Sequence, residues 1–217
     1  MVDTHEHGDE PVKRRSIILK ELKEHAPFTA LGALSGIVIM AMVVVFGLPH
    51  GSSELLFDVL HPAHVALSAV VTAALYRHYK RGLVLTVVVG YLGSVGLGTL
   101  SDIILPYLGG TLVGAEMHFH LSFIEHWWLV NPVALLGIAL AIYRPRTKLP
   151  HSGHVFLSTW ASLFYLTGHG EANWLPLFPV IFLILFVAVW VPCCLSDIVF
   201  PLLFVGRPAE ARHGHTH

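Results

Sequence analysis

Six long apolar runs divide this chain, and most of them are as long as membrane-crossing helices. They extend from Pro27 to Pro49, Pro62 to Tyr76, Gly82 to Leu108, His120 to Tyr143, His154 to Gly168 and Trp174 to Val205. Crossing the hydrocarbon core takes about 20 apolar residues, which four of the runs exceed. The second and fifth, at 15 residues each, reach only about 23 Å at 1.5 Å per residue. The sixth is interrupted by Pro176, Pro179, Pro192 and Pro201. Charged residues make up 12% of the chain, against about a quarter in a soluble domain. The fold expected is all-α, with six transmembrane helices in a lipid bilayer.

Charge placement orients the helices. Lys13, Arg14, Arg15, Lys20 and Lys23 precede the first run; Arg77, Lys80 and Arg81 join the second and third; Arg144, Arg146 and Lys148 join the fourth and fifth; Arg207 and Arg212 follow the sixth. All 13 basic residues thus lie on one side of a six-helix arrangement. Lys and Arg accumulate in cytoplasmic loops, so that side is read as the inside, in a multi-pass cell-membrane protein with both termini cytoplasmic. Residues 1–19 and 206–217 read as mobile cytoplasmic ends, the second containing His-Gly-His-Thr-His. No short basic stretch leading to an apolar core marks a cleaved signal. Lipid and metal ions are the expected partners, nucleic acid is not, and no feature sets an oligomeric state. Cys193 and Cys194 are adjacent, so they build no disulfide framework. They read as small buried residues.

The chain also repeats itself. His61-Pro-Ala-His64-Val65-Ala-Leu67-Ser68 recurs as His151-Ser-Gly-His154-Val155-Phe-Leu157-Ser158, with five of eight positions identical. Ser101-Asp102-Ile103-Ile-Leu-Pro106-Tyr-Leu108 recurs as Ser196-Asp197-Ile198-Val-Phe-Pro201-Leu-Leu203, again five of eight. Glu24-His25, followed by Ala33, Leu34, Gly36 and Ile37, recurs as Glu125-His126, followed by Ala134, Leu135, Gly137 and Ile138. The order is the same in both halves, at offsets of 90, 95 and 101 residues. Two membrane halves follow, residues 20–108 and 109–205, each with three helices. Three is odd, so the second half is expected upside down relative to the first, as in inverted-repeat transporters.

The matching positions are mainly His, Asp, Glu, Ser and Pro, which packing alone does not require and lipid penalises. His61 and His64 are expected to open the second helix, with Pro62 in its first turn, where Pro is tolerated. Counting from Arg77, Arg81 and Arg144 places His61, His64, Asp102, Glu125 and His126 roughly 20–32 Å from the inner face. Inversion places His151, His154, Asp197, Glu24 and His25 near the inner face. Two similar clusters, one per face, are expected. Residues three apart on a helix share a face, so each HxxH can address one ion. Imidazole with carboxylate suits a divalent transition metal such as Zn, Fe, Mn or Ni. Nothing basic lies at the depth of Asp102 or Asp197 to pair with them, and the proline four residues after each frees a backbone carbonyl. His118 and His120 are further candidate ligands. Ser68 and Ser158 are expected to cross-link helices, and the glycines at 32, 36, 90, 93, 96 and 98 to permit close helix packing.

The function expected is a transporter or channel for such a cation. An integral-membrane metalloenzyme acting on a lipid or quinone, and a two-haem b-type electron carrier, are the alternatives. The duplicated acids argue against haem, and the duplicated cluster argues against a single catalytic site. The orientation has a direct test. A cysteine introduced at Ser52 or Thr111 should react with a membrane-impermeant maleimide from outside, and one at Lys80 or Arg144 only after permeabilisation. The reverse pattern would overturn the orientation.

Overall fold

The structure, a computed structural model, describes the backbone of residues 9–80, 82–144 and 148–205, and the side chains there except those of 9–21, 24, 25, 148–152, 197, 198, 202 and 205. Among the described residues, six principal helices follow one another: α1 (Asp9–Phe46), α2 (His50–Tyr79), α3 (Leu83–Leu112), α4 (Trp127–Tyr143), α5 (Lys148–His169) and α6 (Phe178–Cys194). From α6 the chain runs on through a π-helical turn, Leu195–Val199, into Phe200–Val205. Gly47 ends α1 at φ +60°, a left-handed conformation that costs glycine little.

Four stretches, Ala26–Phe46, His50–Tyr79, Leu83–Leu112 and Leu175–Cys194, are long and apolar enough to cross a membrane. Their outward faces are apolar as well: Leu31, Val45, Val84 and Leu112 are all exposed. Of the expected six, α4 is apolar but only 17 residues long. α5 reaches 22 residues and carries Ser158, Thr159, Ser162 and Thr167, all buried. Every residue from 161 to 168 of α5 is shielded. A helix surrounded by protein rather than lipid need not be strongly apolar, which is why its run reads as short.

The second helix corrects the expected boundary. α2 begins at His50, not Pro62, and has 30 residues with Pro62 inside it. His61 and His64 therefore do not open the helix. His64 sits near its middle, roughly 21 Å from either end at 1.5 Å per residue. Pro62 has no N–H for the carbonyl of Asp58 one turn earlier.

α2 and α5 form the centre and pack most extensively on each other. α4 lies on α2 and α3, while α1 lies on α5 and α6. The first helix of each half thus rests on the second helix of the other. Ala33, Met40, Leu163, Leu166, Ile181 and Leu185 fill the α1–α5–α6 contact. Ala69, Ala73, Ile138 and Ala141 fill the α2–α4 contact. Both Leu-Ser-Asp-Ile segments are π-helical, Leu100–Ile104 within α3 and Leu195–Val199 after α6. In each, the five-residue hydrogen bond ends just before a proline: the Leu105 N–H donates to the Leu100 carbonyl and the Phe200 N–H to the Leu195 carbonyl. Pro106 and Pro201 then offer no N–H to the next carbonyls in that pattern, those of Ser101 and Ser196.

One end of the bundle is capped by a two-residue ladder, β1 (Glu116–Met117) with β2 (Gly170–Glu171), which pairs Glu116 with Glu171. A short helical turn, Ser122–Glu125, leads from there into α4.

The α2–α4 crossing leaves no space for a side chain at Gly137. A Cβ there would collide with the carbonyl oxygen of Ala66 and stand 2.9 Å from Cβ of Ala69. At Gly36, its partner in the repeat, the nearest atoms are 3.4 and 3.6 Å away. Gly137→Ala should therefore lower stability by about 1–3 kcal/mol in unfolding from detergent. Gly36→Ala should be neutral or gain up to roughly 1 kcal/mol from helix propensity. Equal effects would contradict the crossing.

Candidate metal centre

Asp102 is the hub of the polar interior. Its Oδ2 accepts from Nδ1 of His61 at 2.8 Å and from Nδ1 of His64 at 2.6 Å. Its Oδ1 accepts from Oγ of Ser158 at 2.6 Å. The Ser101 hydroxyl lies 2.7 Å from the same oxygen and 3.0 Å from the carbonyl of Gly98, with one proton to share. His61, Asp102, His154 and Ser158 are fully buried and His64 is 2% exposed. The carboxylate expected to stand alone is matched by donors from α2, α3 and α5.

The hydrogen bonds fix the chemistry of the two imidazoles. A carboxylate only accepts, so both rings carry a proton on Nδ1 and direct Nε2 away from Asp102. Nε2 of His61 is buried and has no partner among the described residues. A carboxylate orienting imidazoles whose other nitrogen is free is the usual support of a histidine metal ligand. Two ligands of one tetrahedral ion, each at 2.0–2.1 Å, stand about 3.3 Å apart. At 2.6 and 2.8 Å, Asp102 is placed to orient the histidines rather than to share their ion. His61, His64 and Asp102 bring one ligand atom each within 4.8 Å of the others, and Nε2 of His61 is the nitrogen left for a borderline divalent cation.

The second HxxH meets the first instead of forming a cluster at the opposite face. The rings of His64 and His154 stack with centroids 5.8 Å apart and planes at 10°. The thiol of Cys193 is within hydrogen-bonding reach of both. α2 runs through 30 residues rather than 15, so the depth counted from Arg77 falls near mid-helix instead of at the outer end, and the two motifs meet there. Further contacts occur in matching pairs. Ser158 Oγ lies 3.3 Å from Ser101 Oγ, and Ser68 Oγ 3.2 Å from Ser196 Oγ. Ser162 donates to the carbonyl of Ser101 at 3.1 Å, and Thr72 to that of Ser196 at 3.4 Å. The serines expected to cross-link helices do so. The side chains of Glu24, His25, His151 and Asp197 lie outside the described residues.

Glu125 and His126 do not join His61, His64 and Asp102. They gather at the capped end with Asp58, whose Oδ1 is 3.1 Å from Nδ1 of His126. His120 donates from Nδ1 to Oε2 of Glu125 at 2.9 Å. The Leu121 amide donates to the other oxygen of Glu125, also at 2.9 Å. That amide first, and His120 after it, hold the Glu125 carboxyl below its ordinary range. Phe57 separates the two groups, stacked on His61 at 5.4 Å with its edge toward His120 at 6.1 Å. His118 is exposed and contributes backbone only, its N–H donating to the carbonyl of His169 at 2.7 Å. Asp58 and His169 were not among the expected ligands, although Asp58, His61 and His64 repeat at the helical spacing of three.

Comparison with known protein families, curated proteins and solved structures finds no match for this chain. The site is therefore read from its own geometry.

If Asp102 is the joint of three helices, Asp102→Ala strands two imidazole N–H groups and a hydroxyl in the interior. Unfolding in detergent should show a loss of at least about 3 kcal/mol, at 1–3 kcal/mol for each stranded group. Ser68→Ala, which loses a neutral contact, should cost about 1 kcal/mol. Similar losses in the two variants would remove Asp102 from that role.

Proposed function

We propose that this chain is a six-helix membrane protein, built as two inverted three-helix halves, that carries a divalent transition-metal cation across the membrane. The observation that carries the reading is the pair of imidazoles turned by one buried carboxylate, with Nε2 of His61 left without a partner midway along a membrane-length helix. An apolar core has no use for such a group. A cation has: its charge offsets that of Asp102, and imidazole nitrogens replace part of its hydration shell.

The inverted arrangement is supported by the matched contacts. Each half sends a serine of its HxxH helix to the Leu-Ser-Asp-Ile serine of the other, and His64 faces its own counterpart His154. That is the pattern expected of a two-fold axis passing between those rings. In this reading the centre is one shared station near mid-membrane rather than one station per face. The short helices α4 and α5 count as spans, and the basic ends of the bundle face the cytoplasm.

The centre is shut off from solvent on all sides, which corresponds to an occluded state. The π-helical turns at Leu100–Ile104 and Leu195–Val199 lie beside the centre in both halves. Such turns tolerate shifts of hydrogen-bond register and are common at functional sites. They are where alternate opening to the two sides is placed.

The test is flux of Zn, Fe, Mn and Ni ions into liposomes containing the purified protein. His61→Asn with His64→Asn, and separately Asp102→Asn, should lower flux of the transported ion at least about tenfold, the effect of losing one charge-assisted contact. Monodisperse elution shows that the variants remain folded. Wild-type flux in the Asp102→Asn protein would return this residue to a purely structural role and end the transport reading of the centre.

A further inference from the structure

We propose that Asp58, His120 and His126 form a second divalent-metal site, of the zinc type, at the capped end of the bundle, with His169 beside them as a third nitrogen donor. This site does not depend on transport through the buried centre.

One ligand atom from each of Asp58, His120 and His126 lies within 4.8 Å of the others, although the three residues come from separate parts of the chain. Asp58 is on α2, His120 is in the segment that leaves the β1–β2 ladder, and His126 caps α4. Oδ1 of Asp58 and Nδ1 of His126 are 3.1 Å apart, close to the roughly 3.3 Å between two ligands of a tetrahedral ion. The corresponding distances around Asp102 are shorter, so here the carboxylate is placed as a direct ligand.

His120 is prepared for the same ion. Its Nδ1–H is given to Glu125, so its Nε2 carries the lone pair. That nitrogen is buried and has no partner among the described residues. Nδ1 of His169 is buried and without a partner in the same way, and the two rings stack with centroids 4.8 Å apart. Tyr165 holds both groups in place: its ring stacks on His169 at 4.7 Å, and its hydroxyl accepts from the backbone N–H of His120 at 3.2 Å. Two orphaned ring nitrogens, a third histidine and a carboxylate are more than an ion pair needs. No Lys or Arg occurs in residues 47–61, 109–126 or 169–178, the segments that make this end, so no basic side chain there competes for Asp58. A donor set of imidazoles with one carboxylate selects zinc-like ions over Mg and Ca, which favour oxygen ligands.

Cobalt(II) is the probe, because tetrahedral coordination gives it intense visible bands that octahedral binding by the terminal His-Gly-His-Thr-His does not. Purified full-length protein, titrated with Co²⁺ and then with Zn²⁺, should develop those bands and lose them to Zn²⁺. Introduced into the His61→Asn/His64→Asn protein, which takes the buried centre out of play, Asp58→Asn with His126→Gln should abolish them. Glu125→Gln, which only releases His120, should weaken Co²⁺ binding by about ten- to a hundredfold while leaving the spectrum's shape. His61→Asn with His64→Asn should leave the bands intact, whatever that variant does to flux. Wild-type protein without tetrahedral bands, bands that survive when Asp58, His126, His61 and His64 are all replaced, or bands lost in the His61/His64 variant would each overturn the proposal. Should the Asp58/His126 variant fail to elute as a single species, Glu125→Gln decides, and unchanged affinity there counts against the site.

Discussion

A carboxylate in an apolar interior costs several kcal/mol unless donors match its oxygens, and the buried polar junction of α2, α3 and α5 is arranged around the one at Asp102. Its matching groups come from three helices: His61 and His64 on α2, Ser101 beside it on α3, and Ser158 on α5. Sliding or rotating any of these helices breaks a charge-assisted bond and leaves a buried group unpaired. Hydrophobic packing alone is permissive about register, because many apolar side chains fit comparably well against one another. A buried polar junction is not, and it sets the depth at which α2 crosses α5. The close approach at Gly137 then seats α4 against α2, and α1 takes its place against α5 and α6.

The order of helices was legible in the sequence because lipid-facing surfaces demand long apolar runs. The repeat was legible because its matching residues are costly ones. Element ends were less so. Pro62 resembles a helix start by composition, yet it sits inside α2, where only its lost bond to the Asp58 carbonyl marks it. α5 looked short because its polar side chains face protein on every side, a situation that hydropathy cannot register. Both errors moved His61, His64 and His154 toward opposite ends of the molecule when they belong together. Asp58 went unassigned for the same reason: with α2 begun at Pro62, it fell in a loop, and the run Asp58, His61, His64 lost its helical meaning. The pairing of His120 with Glu125 depends on the turn at Ser122–Glu125, which no periodicity announces.

Along α2 the two candidate centres are one turn apart, with Asp58 facing the capped end and His61 and His64 facing the core. Phe57 lies between them, its face on His61 and its edges toward His120 and His169. Aromatic and imidazole rings in this arrangement exclude water from the gap, so charge on one side is poorly screened from the other. An ion held at Asp58 would raise the energy of a second cation at His61. Under the transport reading, that repulsion favours moving a bound ion inward when another arrives. It also separates the roles of the two acids, since Asp58 is half-shielded at the capped end, whereas Asp102 is fully buried.

The two halves differ at the position that touches the central imidazoles. Gly98 precedes the Leu-Ser-Asp-Ile segment of α3, and Cys193 holds the matching place in α6. A Cβ at Gly98 would stand 3.8 Å from Cε1 of His64 and 3.3 Å from Val65. The backbone of α3 thus comes close to one ring without offering it a ligand. On the other side Cys193 reaches both His64 and His154. A scaffold of inverted halves gives inward- and outward-open arrangements of similar energy only while the halves are equivalent. Under the inverted-repeat reading, a polarisable sulfur on one side and bare backbone on the other lift that equivalence. The side chain at position 193 then biases which face the centre opens toward, while the matched serines keep the two arrangements otherwise alike.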